Sequence, residues 1–141
     1  MKYGQYITKK RTRLEGISGR VNIPYGTILP AAGDYIMHQG KILCAVTSRN
    51  AKEYFWGYDP EHPEEEIRRQ QAVERLMSAA PQDPGNMADP LNPWRKYGHI
   101  EQTPVGDMWA WESAVEDLPE SMAEYLLACA MNGSRPAEVP E

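Results

Sequence analysis

The chain has 141 residues, 41% hydrophobic and 25% charged, with a formal net charge of -5. This is one average domain of ordinary globular usage, which excludes wholesale disorder and a fold stapled only by disulfides or metals. Net acidity argues against a nonspecific grip on nucleic acid by the whole molecule, and no run approaches the ~18 consecutive apolar residues of a membrane span.

The N-terminus is polar and basic with no apolar stretch behind it, unlike a secretory leader. Cys44 and Cys129 lie far apart in apolar runs, the pattern of free thiols in a reducing cytoplasm. The charge is uneven. Residues 1–20 carry Lys2, Lys9, Lys10, Arg11, Arg13 and Arg20 against Glu15 alone, and residues 110–141 carry seven carboxylates against Arg135 alone. That layout suits an anionic ligand, or the pairing of opposite ends in a homo-oligomer.

The first distinctive stretch is "KKRTRLEGISGR", residues 9–20. Gly16-x-x-Gly19 lacks the lysine-serine or lysine-threonine pair and the following helix of a phosphate loop, so it reads as a β-turn leading into the first sheet strand. Arg11, Arg13 and Arg20 around Gly16 and Gly19 nevertheless make a candidate anion cradle, because arginine forks bind phosphate bidentately and glycine lets the backbone approach. The plain alternative is a solvated basic arm.

Residues 21–47 are short apolar runs. Residues 35–38 and 41–46, joined at Gln39-Gly40, predict a β-hairpin, and Pro24-Tyr25-Gly26 a bend between two strands. Asn50 and Glu53 read as a capping box opening a short helix to about Trp56. Asp59-Pro60 or His62-Pro63 starts the next helix, whose pairs Glu64/Arg68 and Glu65/Arg69 have exposed-helix spacing. Ile67, Val73, Leu76, Met77 and Ala80 form its inner stripe.

Five prolines and three glycines between residues 81 and 106 predict a long mobile loop. Asp107 then caps a short helix through Trp111, and Asp117 a last helix from about Pro119 with Met122, Ala123, Leu126, Leu127 and Ala130 on its apolar face. Asn132-Gly133 ends it, and residues 134–141 form a tail.

None of this carries a catalytic signature. No nucleophile motif is present, His38, His62 and His99 are scattered, and two lone cysteines do not supply a zinc site. Glu64, Glu65 and Glu66 point in different directions around a helix and suit its dipole instead of a cation. No catalytic residue, metal or cofactor is therefore expected. Trp56, Trp109 and Trp111, with Tyr54, Phe55 and Tyr58, read as core aromatics, with a base-stacking platform as the alternative. Trp94, beside Arg95, Lys96 and Tyr97 on the proline-rich loop, has instead the make-up of an interface anchor.

Residues 13–27 ("RLEGISGRVNIPYGT"), 46–51 ("VTSRNA") and 115–118 ("VEDL") resemble small uncharacterised proteins encoded by phages and prophages of Gram-positive gut bacteria, over most of the chain except the middle loop. The resemblance implies a setting, that of an accessory protein in the cytoplasm of a bacterial host.

Together these features predict a single α+β domain over 1–141: a small antiparallel sheet or partly open barrel (12–47), a helical part (48–80), the loop (81–106) and C-terminal helices (107–133), with three or four helices in all. The expected function is non-catalytic binding, as inhibitor or modulator of a host protein such as a defence component, docked through the loop, with Trp94, Arg95, Lys96 and Tyr97, and through the acidic last helices. The alternative is sequestration of a small nucleotide signal on Arg11, Arg13, Gly16, Gly19 and Arg20, with the arginines on the phosphates and a Trp or Tyr on the base. A third reading is a nucleic-acid-binding accessory protein, opposed by the net acidity.

Overall fold

The computed structural model describes residues 3–16 and 19–136. The chain divides into two compact units, Met1–Ile67 and Arg68–Glu141, where its length suggests one domain. Each has its own apolar cluster.

The first unit is built on an open five-stranded antiparallel sheet, not a barrel. Its strands are β1 (Gln5–Thr8), β4 (Ile28–Ala32), β5 (Tyr35–His38), β6 (Lys41–Ala45) and β7 (Phe55–Tyr58), in the order β6-β5-β4-β1-β7. A separate hairpin pairs β2 (Thr12–Gly16) with β3 (Gly19–Ile23). The sheet thus reaches beyond residues 12–47 at both ends.

The β5–β6 hairpin is the one expected at Gln39-Gly40, where both turn residues take positive φ, 53° and 75°. Pro24-Tyr25-Gly26 bends the chain as expected, with Gly26 at φ 79°. Thr8, only 1% exposed, is satisfied there: its hydroxyl donates to the Pro24 carbonyl and accepts from the Thr27 N–H. The core holds Tyr6, Leu14, Ile23, Leu29, Ile36, Leu43, Ala51 and Phe55.

Helix α1 (Arg49–Tyr54) is capped by Ser48, whose hydroxyl accepts from the Ala51 N–H at 3.1 Å; the box at Asn50 and Glu53 does not form, because Asn50 is already helical. The helix also stops short of Trp56. Phe55 turns extended, and "FWGY" buries Phe55 and Gly57 on alternate positions as an aromatic-rich strand paired with β1.

Helix α2 (Pro63–Met77) opens with Glu64, Glu65 and Glu66 in its first turn, as the dipole favours, and buries Ala72, Val73 and Leu76; Ala80 lies beyond it and is exposed. In the second unit these three pack with Val115 and with Ala123, Leu126, Cys129 and Ala130 of α3 (Glu120–Asn132). Gly133 ends α3 at φ 69°, as expected, but Asp117 does not cap it: Pro119 is the N-cap, and residues 113–117 form a 3-10 turn.

Residues 81–106 depart most from expectation. Asp83, Asn86, Asp89 and Asn92 each accept, through a side-chain oxygen, the N–H two residues on, at Gly85, Ala88, Leu91 and Trp94. These successive side-chain turns give the stretch a defined path without helix or ladder bonds. A 3-10 turn follows (Pro93–Lys96), then a hairpin of β8 (Gly98–Thr103) and β9 (Gly106–Trp111). Residues 108–111 are thus strand and not helix. Pro104 occupies the hairpin loop, where it breaks no ladder bond.

Candidate functional site

The arginines of residues 9–20 are placed by the amphipathic β2–β3 hairpin. Thr12 and Leu14 of β2 and Ile23 of β3 are buried. Arg13 and Glu15 alternate with them onto the opposite face, where cross-strand register sets Arg13 against Asn22 and Glu15 against Arg20. Arg11, just before β2, reaches the same face and donates through Nε to the Asn22 Oδ1 at 3.3 Å.

The basic residues are not equivalent. Lys10 pairs with Glu53 at 3.3 Å and lies 4.8 Å from the Tyr54 ring centre, and Lys9 lies 5.7 Å from that of Trp56, so both are spent locally. Arg20 Nε meets Glu15 Oε1 at 3.3 Å with the arginine side chain 90% exposed, a solvent-screened contact that holds it only weakly. Arg13 donates to no protein atom among the described residues.

Two open grooves flank this hairpin. One, of about 480 Å³, is lined by Arg13, Leu14, Glu15, Arg20, Val21 and Asn22. The other, about 240 Å³, runs between β3 and the β5–β6 hairpin and includes Arg20, Asn22, His38 and Lys41. Arg20 lines both. Among the described residues that line them, Arg13, Arg20 and Lys41 stand against one carboxylate, Glu15.

Of the predicted ligand residues, Arg11, Arg13 and Arg20 are brought to one face. Gly16 and Gly19 form the last cross-strand pair, with Gly19 at φ 112°; the turn expected between them, at Ile17 and Ser18, lies outside the described residues. Asn22, His38 and Lys41 were not singled out by residue type. The alternation of "GRVNI" carries the signal for Asn22, which must share a face with Arg20 once the segment is a strand.

The predicted partner anchor is placed otherwise. Trp94 is 0% exposed, in the core of the second unit, with edge-to-face contacts to Tyr97, Trp109 and Trp111 at 5.8 to 6.4 Å between ring centres. The four-tryptophan set therefore splits: Trp94, Trp109 and Trp111 share one cluster, and Trp56 belongs to the sheet. The indole N–H groups of Trp94 and Trp109 are buried without an acceptor among the described residues, while that of Trp111 donates to the Ala79 carbonyl at 2.9 Å. Arg95 and Lys96 are exposed and Tyr97 half-buried, so the cations of this segment face water while its tryptophan does not.

Elsewhere, His99 bridges two carboxylates, Nδ1 to Glu112 at 2.7 Å and Nε2 to Glu101 at 3.0 Å. Glu112 first, then Glu101, raise the imidazole pKa above its ordinary value of 6.5. Half-buried Cys44 has its thiol pKa pushed up by desolvation, which a hydrogen bond with Ser48 partly offsets. Among the described residues no three His, Cys, Asp or Glu side chains are grouped so as to hold a metal ion, and no helix is long and apolar enough to cross a membrane. In comparisons with known proteins, the chain matches no protein-family model, no curated protein and no solved structure.

Proposed function

We propose that the chain is a non-catalytic binding protein that captures a phosphate-bearing small molecule, a nucleotide signal among them, on the polar face of the β2–β3 hairpin. The observation that carries this reading is the gathering of Arg11, Arg13 and Arg20 on one strand-pair face, with Asn22 between them and Lys41 across the adjoining groove. Guanidinium groups held by a hairpin offer a planar, bidentate fit to phosphate oxygens, and among the described residues the Arg13 side chain has no competing partner to give up. Among the described residues no Phe, Tyr or Trp lines either groove, and His38 contributes one imidazole ring to the smaller, so recognition rests mainly on the anion.

The test is isothermal titration with inorganic phosphate and with a nucleoside diphosphate. Binding is expected for both, at least tenfold weaker in Arg13→Ala and Arg20→Ala; no heat from either anion at millimolar concentration overturns the reading.

A second reading keeps the protein-docking role in the phage setting that the sequence resemblance implies. Its support is Leu91, 86% exposed, beside the exposed Arg95 and Lys96. Leu91 then replaces Trp94 as the apolar contact offered to a host protein.

A further inference from the structure

Strands β8 and β9 form a sheet of two, and two strands alone are marginal in water. Their pairing shows which backbone groups are already used. The Glu112 N–H donates to the Tyr97 carbonyl at 2.8 Å. Antiparallel bonding alternates, so His99, Glu101 and Thr103 turn their N–H and C=O groups toward β9, and Gly98, Ile100 and Gln102 turn theirs to the opposite edge. Among the described residues no strand pairs with β8 along that edge. Residues 99–102 are exposed, Ile100 to 38%, and "GHIEQT" contains no Lys, Arg or Pro of the kind that guards open edges.

We propose that a second copy of this chain pairs here, β8 against β8 across a two-fold axis at Ile100, joining two hairpins into one four-stranded sheet. The outward-turned residues then come into register, Ile100 with Ile100 of the second copy and Gln102 with its Gly98, which is buried and so ends the pairing. His99 falls opposite the second copy's Glu101, and Glu101 opposite its His99. Both pairs occupy non-hydrogen-bonded positions, where Cα atoms stand about 4.5 Å apart and side chains come closest.

The charges also select this register. Moving the axis to His99 sets histidine against histidine, and moving it to Glu101 sets carboxylate against carboxylate. The outer edge of β9 carries only Asp107 as a charged group and offers no such complement. The inference is independent of the anion reading, which concerns the other unit.

An edge of this length belongs with weak interfaces, those burying less than ~1,200 Å², so association is sought by sedimentation equilibrium of the full chain from about 1 to about 300 μM. The average mass is expected to rise from the 16.0 kDa of one chain toward a dimer. Ile100→Pro and Gln102→Pro each delete an N–H on the outer edge while leaving the β8–β9 bonds, and should hold the chain monomeric with its near-ultraviolet tryptophan dichroism intact. His99→Glu, which leaves the backbone alone, should weaken association at least tenfold by setting carboxylate against carboxylate. A wild-type chain that is monomeric throughout, or a dimer that none of the three substitutions weakens, overturns the proposal.

Discussion

His99 shows how much one exposed side chain can depend on its neighbours. Both ring nitrogens meet carboxylates, which favours the protonated ring in the folded chain. The stabilising contribution is therefore complete below the unfolded value of about 6.5 and is lost as pH rises through the higher folded value. Proton NMR of the ring should give a midpoint above 6.5, and Glu112→Gln, which removes the larger cause, should lower it. A midpoint unmoved by that substitution would exclude Glu112 as the cause. Nothing in the scattered positions of the three histidines announces this cluster, because Glu112 becomes a neighbour only once β8 and β9 pair. The clustering of Arg11, Arg13 and Arg20 was legible in the sequence; for Asn22 the strand alternation places it beside Arg20, and the register adds that it stands against Arg13.

The elements divide by the kind of signal that encodes them. The β5–β6 hairpin, α2 and the end of α3 follow from local chemistry: a Gln-Gly turn, a run of first-turn carboxylates, and an Asn-Gly stop. Residues 81–97 follow from local chemistry too, but of a less familiar kind, the recurrence of Asp or Asn every third position from 83 to 92. Counting prolines hid it. Asn92 is the keystone: its Oδ1 accepts from the Trp94 N–H and its Nδ2 donates to the carbonyls of Pro84 and Asn86 at 2.7 and 3.0 Å. Asn92→Ala leaves the buried Trp94 N–H unpaired, removes the bonds to the Pro84 and Asn86 carbonyls, and should cost about 2–4 kcal/mol in chemical denaturation, several net hydrogen bonds' worth. A loss below about 0.5 kcal/mol, the range of ordinary surface substitutions, would mean the stretch is held otherwise. Strands β1 and β8 fall outside the expected β region, and β7 and β9 fall where helix was expected, because their aromatic runs suit a helix face or a strand equally and only the pairing with β1 and β8 decides.

The two units share no residue between their apolar clusters. Trp94 lies at the centre of one of them, and Trp94→Ala should destabilise that unit by about 3–5 kcal/mol, as emptying a large buried site does. Hydrogen exchange followed by mass spectrometry should show faster exchange in α3 and in residues 98–111, with the amides of β1, β4 and β5 unchanged. Equal loss of protection in the sheet would show that the two clusters melt as one. The division was not legible in composition, since 141 residues fit one domain or two and no linker rich in glycine, serine or charge marks the boundary within α2.

Strand β1 has neighbours on both sides, β4 and β7, and the second of these begins about 50 residues later in the chain. During synthesis at about 5–20 residues per second, this strand therefore waits roughly 3–10 s with one edge open to other nascent chains. The residues immediately behind it are Lys9, Lys10 and Arg11. Flanking charges of this kind keep an unpaired strand from joining its like. The basic run that leads into the hairpin thus also suits the protection of the growing chain, a use that Lys9 and Lys10 would keep in a variant from which Arg11, Arg13 and Arg20 had been removed.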